Sequence, residues 1–419
     1  MRGGRGLHIG VTRRRLLGGG AALAGGAFAA DGLLRRGRGA ADGAKTLRLL
    51  CWGGYADDRV TAAFREATGF AIQADYIGAN DEIFTFLRAG GIGRYDIVTP
   101  ANGVVQDLIA VELIQPLDTG RLTGIEGLFP RFQRPEWAMS GGRMFAAPLL
   151  WGTTPMVYAA DRLSAPPAAW TDLFEPKYAG KVILTDDGVG NLLIWNRALG
   201  APDPARVTIA QLNRTIGSLS RLKLDQAIDY TGNMGSIASQ LANGRAWIST
   251  TGWESLPAFD QAKKADLRLA RPAPGDFSFC DSLCIPIQAP HPEAAHAFIN
   301  HMRTAEAQSL LINLLQRGTV VEAAVAKLSP RVRAIHAYDD LDTVFATSPL
   351  VGFPPVRDGN DGIATYVDWV NGWEQVRNTG MRRLVTPTAT VARTPVAART
   401  PTPIARDGTT AAATETTGS

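Results

Sequence analysis

The chain has 419 residues, 45% of them hydrophobic, enough for more than one buried core, since single cores stop growing at roughly 250–300 residues. Its formal charge of +4 belongs to the two ends: residues 1–45 hold nine basic and two acidic side chains, and residues 382–419 hold five and two. The body between them carries 29 basic against 35 acidic residues, a net of −6, which argues against a nucleic-acid partner and favours a cationic ligand.

At the N-terminus, "TRRRLLGGGAALAGGAFAADGLL" sets Arg13 and Arg14 before a weakly apolar Gly/Ala stretch, the pattern of a twin-arginine export signal. Ala27-Phe28-Ala29 fits an A-x-A cleavage site, and the glycines and Asp31 argue against a stable membrane helix. The expected location is the periplasm, with residues 1–45 as signal and linker. No later stretch reaches the ~18 continuous apolar residues of a membrane span. Cys51, Cys280 and Cys284 contain no C-x-x-C and suit neither a disulfide framework nor a zinc site. They read as small buried hydrophobes, with one disulfide left open.

From residue 46 strands and helices alternate. "TLRLLCW" reads as a strand that ends in Trp52-Gly53-Gly54-Tyr55; "DDRVTAAFREATG" follows as a helix with Val60, Ala63, Phe64 and Ala67 on one face and Gly69 as its stop. "FAIQADYI" is the next strand, and "NDEIFTFLRAGG" the next helix, capped by Asn80 or Asp81. "YDIVTP" and "VVQDLIAVELI" repeat the cycle. This order predicts an α/β fold with a mostly parallel sheet, whose ligands bind beyond the carboxyl ends of the strands, where Trp52 and Tyr55 fall. "FAAPLLWGTTPMVYAADRL" then carries extended chain into a second α/β unit containing "KVILTDD", "NLLIWNRALG", "TIAQLNRTIGSLSRL" and "AWISTTGW". A second extended excursion, "FSFCDSLCIPIQ", precedes the helix-rich "PEAAHAFINHMRTAEAQSLLINLLQ". Two such excursions suggest two lobes joined by crossing strands; one large sheet with insertions is the alternative. The Thr/Ala/Pro-rich residues 382–419 are too poor in large apolar groups to offset ordering entropy and read as disordered.

No constellation for catalysis assembles: there is no G-x-S-x-G, H-E-x-x-H or Walker loop, and His296 and His301 are badly spaced for one helical face. Neither an enzymatic activity nor a cofactor is expected. "WGGYADDRVTAAFREATG", "YDIVTPANGVVQDLIAVELIQPLD", "FAAPLLWGTTPMVY", "WTDLFEPKYAGKVILTDD", "NGRAWISTTGW" and "FCDSLCIPIQAPHPEAAHAFINHM" follow one another in order. Together, over about 46–378, they resemble the extracellular solute-binding proteins of ABC importers, in the spermidine/putrescine-binding branch.

The resemblance implies a periplasmic-binding-protein type II-like fold, with two α/β lobes, crossing hinge strands and a ligand cleft between them. It further implies a monomer that closes over a small polyamine-like cation and presents it to a membrane permease. Lobe 1 is expected over 46–147 and 281–325, and lobe 2 over 148–280 and 326–381. Polyamine binders hold the cation between aromatic walls, with carboxylates at its ammonium groups. Carried over by position, Trp52, Tyr55, Asp187, Trp253, Phe279 and Asp281 form the ligand set. Asp187 could equally be only the N-cap of the next helix, with Asp186 as the other candidate cap. Trp151, Thr153 and Thr154, on the crossing segment, read as hinge structure, with cleft lining as the alternative. Three departures stand out: Ala101-Asn102-Gly103 where the family has a hydroxyl residue and a tyrosine, Gly190 in place of a second acid, and Gly318 in place of another tyrosine. They point to a shorter or bulkier amine or another ligand. A same-fold binder feeding a sensor and an exported enzyme on this fold are the alternative functions.

Overall fold

The computed structural model describes residues 45–381 except 252, 253, 255, 257–264, 357, 358 and 360. The export signal, the tail of 382–419 and Trp253 lie outside the described residues. The first strand, Thr46–Trp52, is central in a three-stranded parallel sheet, between Ala71–Ile77 and Ile97–Val98. A parallel neighbour cannot be reached by a tight turn, so each connection crosses over through a helix. The helix Asp58–Thr68 is capped by the Asp57 carboxylate, which accepts from the Arg59 N–H, and it stops at Gly69 in the left-handed conformation, φ 71°. Its buried Phe64 meets Phe298 edge-on, 5.2 Å between centroids. Burial of such a ring contributes about 1.5–3 kcal/mol.

Extended chain then carries the fold into its second half. Ala147–Thr153 is buried along its whole length. It pairs antiparallel with Ser278–Leu283 on one side and with Gly318–Thr319 on the other. The register of the first pairing shifts between Asp281 and Ser282. A shift of this kind bends a strand and re-aims its side chains.

Beyond the crossing lies a five-stranded mixed sheet ordered Ala227–Thr231, Val182–Thr185, Ile248–Ser249, Met156–Ala159, Leu267–Ala270. Alternation along one strand feeds two cores: Met156 and Tyr158 enter one, Val157 and Ala159 the other. A sheet covered on both faces explains why "KVILT" reads as a continuous apolar run rather than an alternating one.

The largest core draws on 47–150 and 283–332, and the second on 156–277 and 364–376. The described strands fall into five separate sheets, so the single-large-sheet alternative is not the fold. All three cysteines are buried and free, which closes the disulfide question.

One departure is explained here. A Cβ on Gly318 would lie 2.2 Å from the Trp151 indole, whose Nε1 donates to the Thr319 carbonyl at 2.9 Å. Gly318→Ala is therefore expected to lower the thermal midpoint by an overpacking cost of about 1–3 kcal/mol. Gly53→Ala, where no atom lies within 4 Å of the added carbon, should leave the midpoint unchanged. Circular-dichroism melts of the two variants check this.

Candidate functional site

At the exit of the first strand the chain reverses through Gly54, φ 89°, where a Cβ would also lie 2.8 Å from Leu315 Cδ2. The reversal delivers Tyr55, whose hydroxyl donates to Asp281 Oδ2 in a short hydrogen bond. Asp281 sits on the crossing strand at the register shift, 3% exposed, and its backbone bridges to Ala101. Burial pushes its carboxyl up to about 7, opposed by the Tyr55 hydrogen bond and by the Arg317 charge. Burial and the neighbouring carboxylate likewise push the Tyr55 phenol well above its ordinary value.

Phe279 is half-buried two residues before Asp281, with its ring over Gly152, where a Cβ would come within 2.7 Å. The Arg317 guanidinium lies 5.8 Å from that ring and 3.5 Å from Glu254. Glu254 in turn accepts from both the backbone N–H and the hydroxyl of Thr153. Arg317 and Glu254 are site neighbours that sequence reasoning missed. An arginine directly before the displaced tyrosine position was the available signal. Trp52 is 3% exposed, and its Nε1 donates to the Thr99 carbonyl at 2.8 Å. Its polar edge is thus committed to the first core, to which the ring also belongs.

Asp187 ends the strand Val182–Thr185 and caps the helix Gly188–Ala198, with Oδ1 accepting from the Gly190 N–H at 2.9 Å. Of the two candidate caps it is therefore the one used. Asp186 faces elsewhere, accepting from Trp373 Nε1 at 3.0 Å, Tyr230 at 2.5 Å and Arg377 at 3.1 Å. Asp187 is 6% exposed, and burial pushes its carboxyl up to about 7, with the Gly190 bond lowering it and Asp186 raising it further. Gly190 is what lets the carboxylate fold over the helix end, since a Cβ there would lie 2.0 Å from Oδ2.

Asp187 also lines a shallow recess, open to solvent, together with Asn80, Asp81, Phe353, Tyr366 and Trp373. Asn80 connects this recess to Asp281: its Oδ1 accepts from the N–H of Ala101, the residue that bridges Asp281. The structure thus groups Tyr55, Phe279 and Asp281, links Asp281 through Ala101 to Asn80 in the recess that Asp187 lines, and packs Trp52 into the first core. The helix Tyr366–Asn378 supplies a wall that the sequence reading had not assigned to the site. Its aromatic spacing, Tyr366, Trp369 and Trp373, was the available signal.

Residues 59–336 match the family of bacterial extracellular solute-binding proteins, and the chain belongs to that family. The family is one of binding proteins, not enzymes. The chain is similar to spermidine/putrescine-binding periplasmic protein 1 of Haemophilus influenzae, 24% identical over 301 residues, 71% of this chain and 82% of that protein. It is likewise similar to the spermidine/putrescine-binding periplasmic protein of Escherichia coli, 25% identical over 316 residues, 73% of this chain and 86% of that protein. Among solved structures, a putative spermidine/putrescine ABC transporter from Listeria monocytogenes superposes with a TM-score of 0.66 at 20% identity, covering 80% of this chain and 99% of that one. The fold is thus that of the two-lobed periplasmic binding proteins. Among the described residues no helix is long and apolar enough to cross a membrane.

The raised carboxyls of Asp187 and Asp281, to which Asp276 adds a third pushed up to about 6 by burial, have a measurable consequence. A carboxyl whose folded pKa lies above its unfolded value stabilises the fold below the unfolded value, and that contribution is lost as pH rises through the folded one. With Asp187 and Asp281 both raised to about 7 from ordinary values near 4, the thermal midpoint of the ligand-free protein should fall between about pH 4 and pH 7 and level off above that. Asp187→Asn and Asp281→Asn should each flatten that slope. A wild-type midpoint that rises across this window would contradict the assignment.

Proposed function

We propose that this chain is the ligand-capturing component of an ABC importer and that its cargo is a polyamine-like dication held between the two lobes. The observation that carries the reading is the pair Asp187 and Asp281. Both are almost fully buried, both are pushed up to about 7 by that burial, and neither has an arginine or lysine within salt-bridge distance among the described residues. Buried charges call for partners. A ligand with two cationic ends supplies both at once. The spermidine- and putrescine-binding names of the relatives support the same cargo.

In this reading lobe 1 comprises 46–147 and 281–325, and lobe 2 comprises 148–280 and 326–381, a division that the membership of the two large cores supports except at Leu149, Leu150, Leu328 and Val332, which pack in the first core. Tyr55, Phe279 and Asp281 take one end of the cation, Asp187 the other, and Trp52 braces the first group from behind. Trp253, outside the described residues, joins the ligand set on the family resemblance alone. Ligand contacts to both lobes favour the closed population, which is the form a permease would recognise. The twin arginines support export to the periplasm by the folded-protein route, the acidic body argues against a nucleic-acid partner, and a monomer is carried over from the family resemblance.

Isothermal titration with putrescine, spermidine, neutral amino acids and anionic ligands tests the assignment. Diamine binding should strengthen from pH 6 to pH 8, because only the ionised carboxylates attract the cation. Asp281→Ala should weaken it by about 30-fold or more, the loss expected on truncating one partner of a buried charge pair. Binding confined to anionic ligands would overturn the reading.

A further inference from the structure

The recess beside Asp187 has a composition that a simple diamine would leave partly unused. Its lining includes three carboxylates, Asp81, Asp187 and Glu374, and one cation, Arg377. Arg377 is already engaged: Glu374 lies at 2.5 Å and Asp186 at 3.1 Å. Asp81 and Asp187 remain without a basic partner among the described residues. The Asp81 carboxylate takes the Tyr366 phenol as one hydrogen-bond donor, yet its Oδ1 is buried with no partner.

The walls are flat. Phe353 and Tyr366 stack with centroids 5.1 Å apart and planes 28° from parallel. Trp373 lies over Gly188, where a Cβ would come within 2.8 Å of the indole. Asn80 and Asp81 approach from the strand ends of the first parallel sheet, and Asp187 from those of the second sheet. Two carboxylates therefore face a space bounded by aromatic planes.

This combination discriminates between kinds of cation. An ammonium is compact and strongly hydrated, and it meets an aromatic face as a point charge without stacking on it. A guanidinium is planar, more weakly hydrated, stacks on aromatic faces and presents a fork of N–H donors that spans carboxylate oxygens. We propose that the recess is a subsite for a planar guanidinium, so that the preferred cargo is an aminoalkylguanidine whose amine lies at Asp281 and whose guanidinium lies between Asp81 and Asp187. The inference rests on the dication reading above and narrows it.

Titration calorimetry on the full-length exported protein with putrescine and with agmatine, its monoguanidino counterpart, tests the proposal. Agmatine is expected to bind about tenfold or more tightly than putrescine, the gain of one stacked, charge-assisted contact. Asp81→Asn, nearly isosteric, and Phe353→Leu, which keeps bulk but removes the flat face, should each cost agmatine about tenfold and putrescine less than about threefold. Thermal melts of the ligand-free variants report whether the fold is retained, and the two substitutions fail independently. If putrescine binds and agmatine binds no tighter, or if the variants weaken both amines alike, the guanidinium subsite is wrong while the dication reading stands. If neither amine binds, both fall.

Discussion

The site turns on two carboxylates, Asp187 and Asp281, removed from water with no salt-bridged arginine or lysine on either among the described residues. Charging such a group costs more than in solution, and both titrate near neutrality instead of near pH 4. Their surroundings limit that cost without cancelling it. Tyr55 donates to Asp281, Arg317 stands within electrostatic reach, and the Gly190 N–H at a helix start receives Asp187. The remaining cations in the region are held by other acids: Arg377 by Asp186 and Glu374, and Arg271 beside Asp276 at 3.6 Å. The basic side chains nearby are allocated so that these two acids stay available.

The departures from the family pattern share one steric logic. Gly103 stands where a tyrosine was expected, and a Cβ there would lie 2.8 Å from the Phe353 backbone nitrogen. Asn102 secures the same approach, donating to the Val351 carbonyl at 2.9 Å and accepting from the Cys280 N–H at 2.9 Å. Gly318 makes room for Trp151, and Gly190 for Asp187 itself. At Gly103 and Gly318 a segment distant in sequence fills the space that a local side chain would have taken, and at Gly190 the Asp187 carboxylate from three residues back does so. The aromatic wall is thereby moved from the first half of the chain to residues 353–373.

How much of this could be read in advance follows the range of the interactions. The helix Asp58–Thr68, with its cap and its glycine stop, is written in neighbouring residues and was legible from them. The crossing strands were legible because long apolar runs far apart in sequence have few other uses. Asp281 stood out as an acid in such a run. The wall formed by Tyr366–Asn378 was not legible, because its docking depends on Gly188, roughly 180 residues away, being small enough to admit Trp373. Arg317 was hidden for a related reason: its neighbours Phe279 and Glu254 come from two other segments. Periodicity identifies a helix; it does not say what that helix will cover.

The pairing of Ala147–Thr153 with Ser278–Leu283 carries a kinetic implication. These strands are where the chain passes between its halves, and Asp281 lies on one of them, whereas Asp187 follows an interior strand of the second sheet, off the crossing segment. In a hinged motion, atoms on the axis barely move and atoms away from it sweep an arc. One carboxylate is thus a stationary anchor and the other a travelling one. Arrival of a cation would be governed by the anchor and largely insensitive to how open the molecule stands. Escape would wait on the travelling one, so residence time and association rate would be set by different residues.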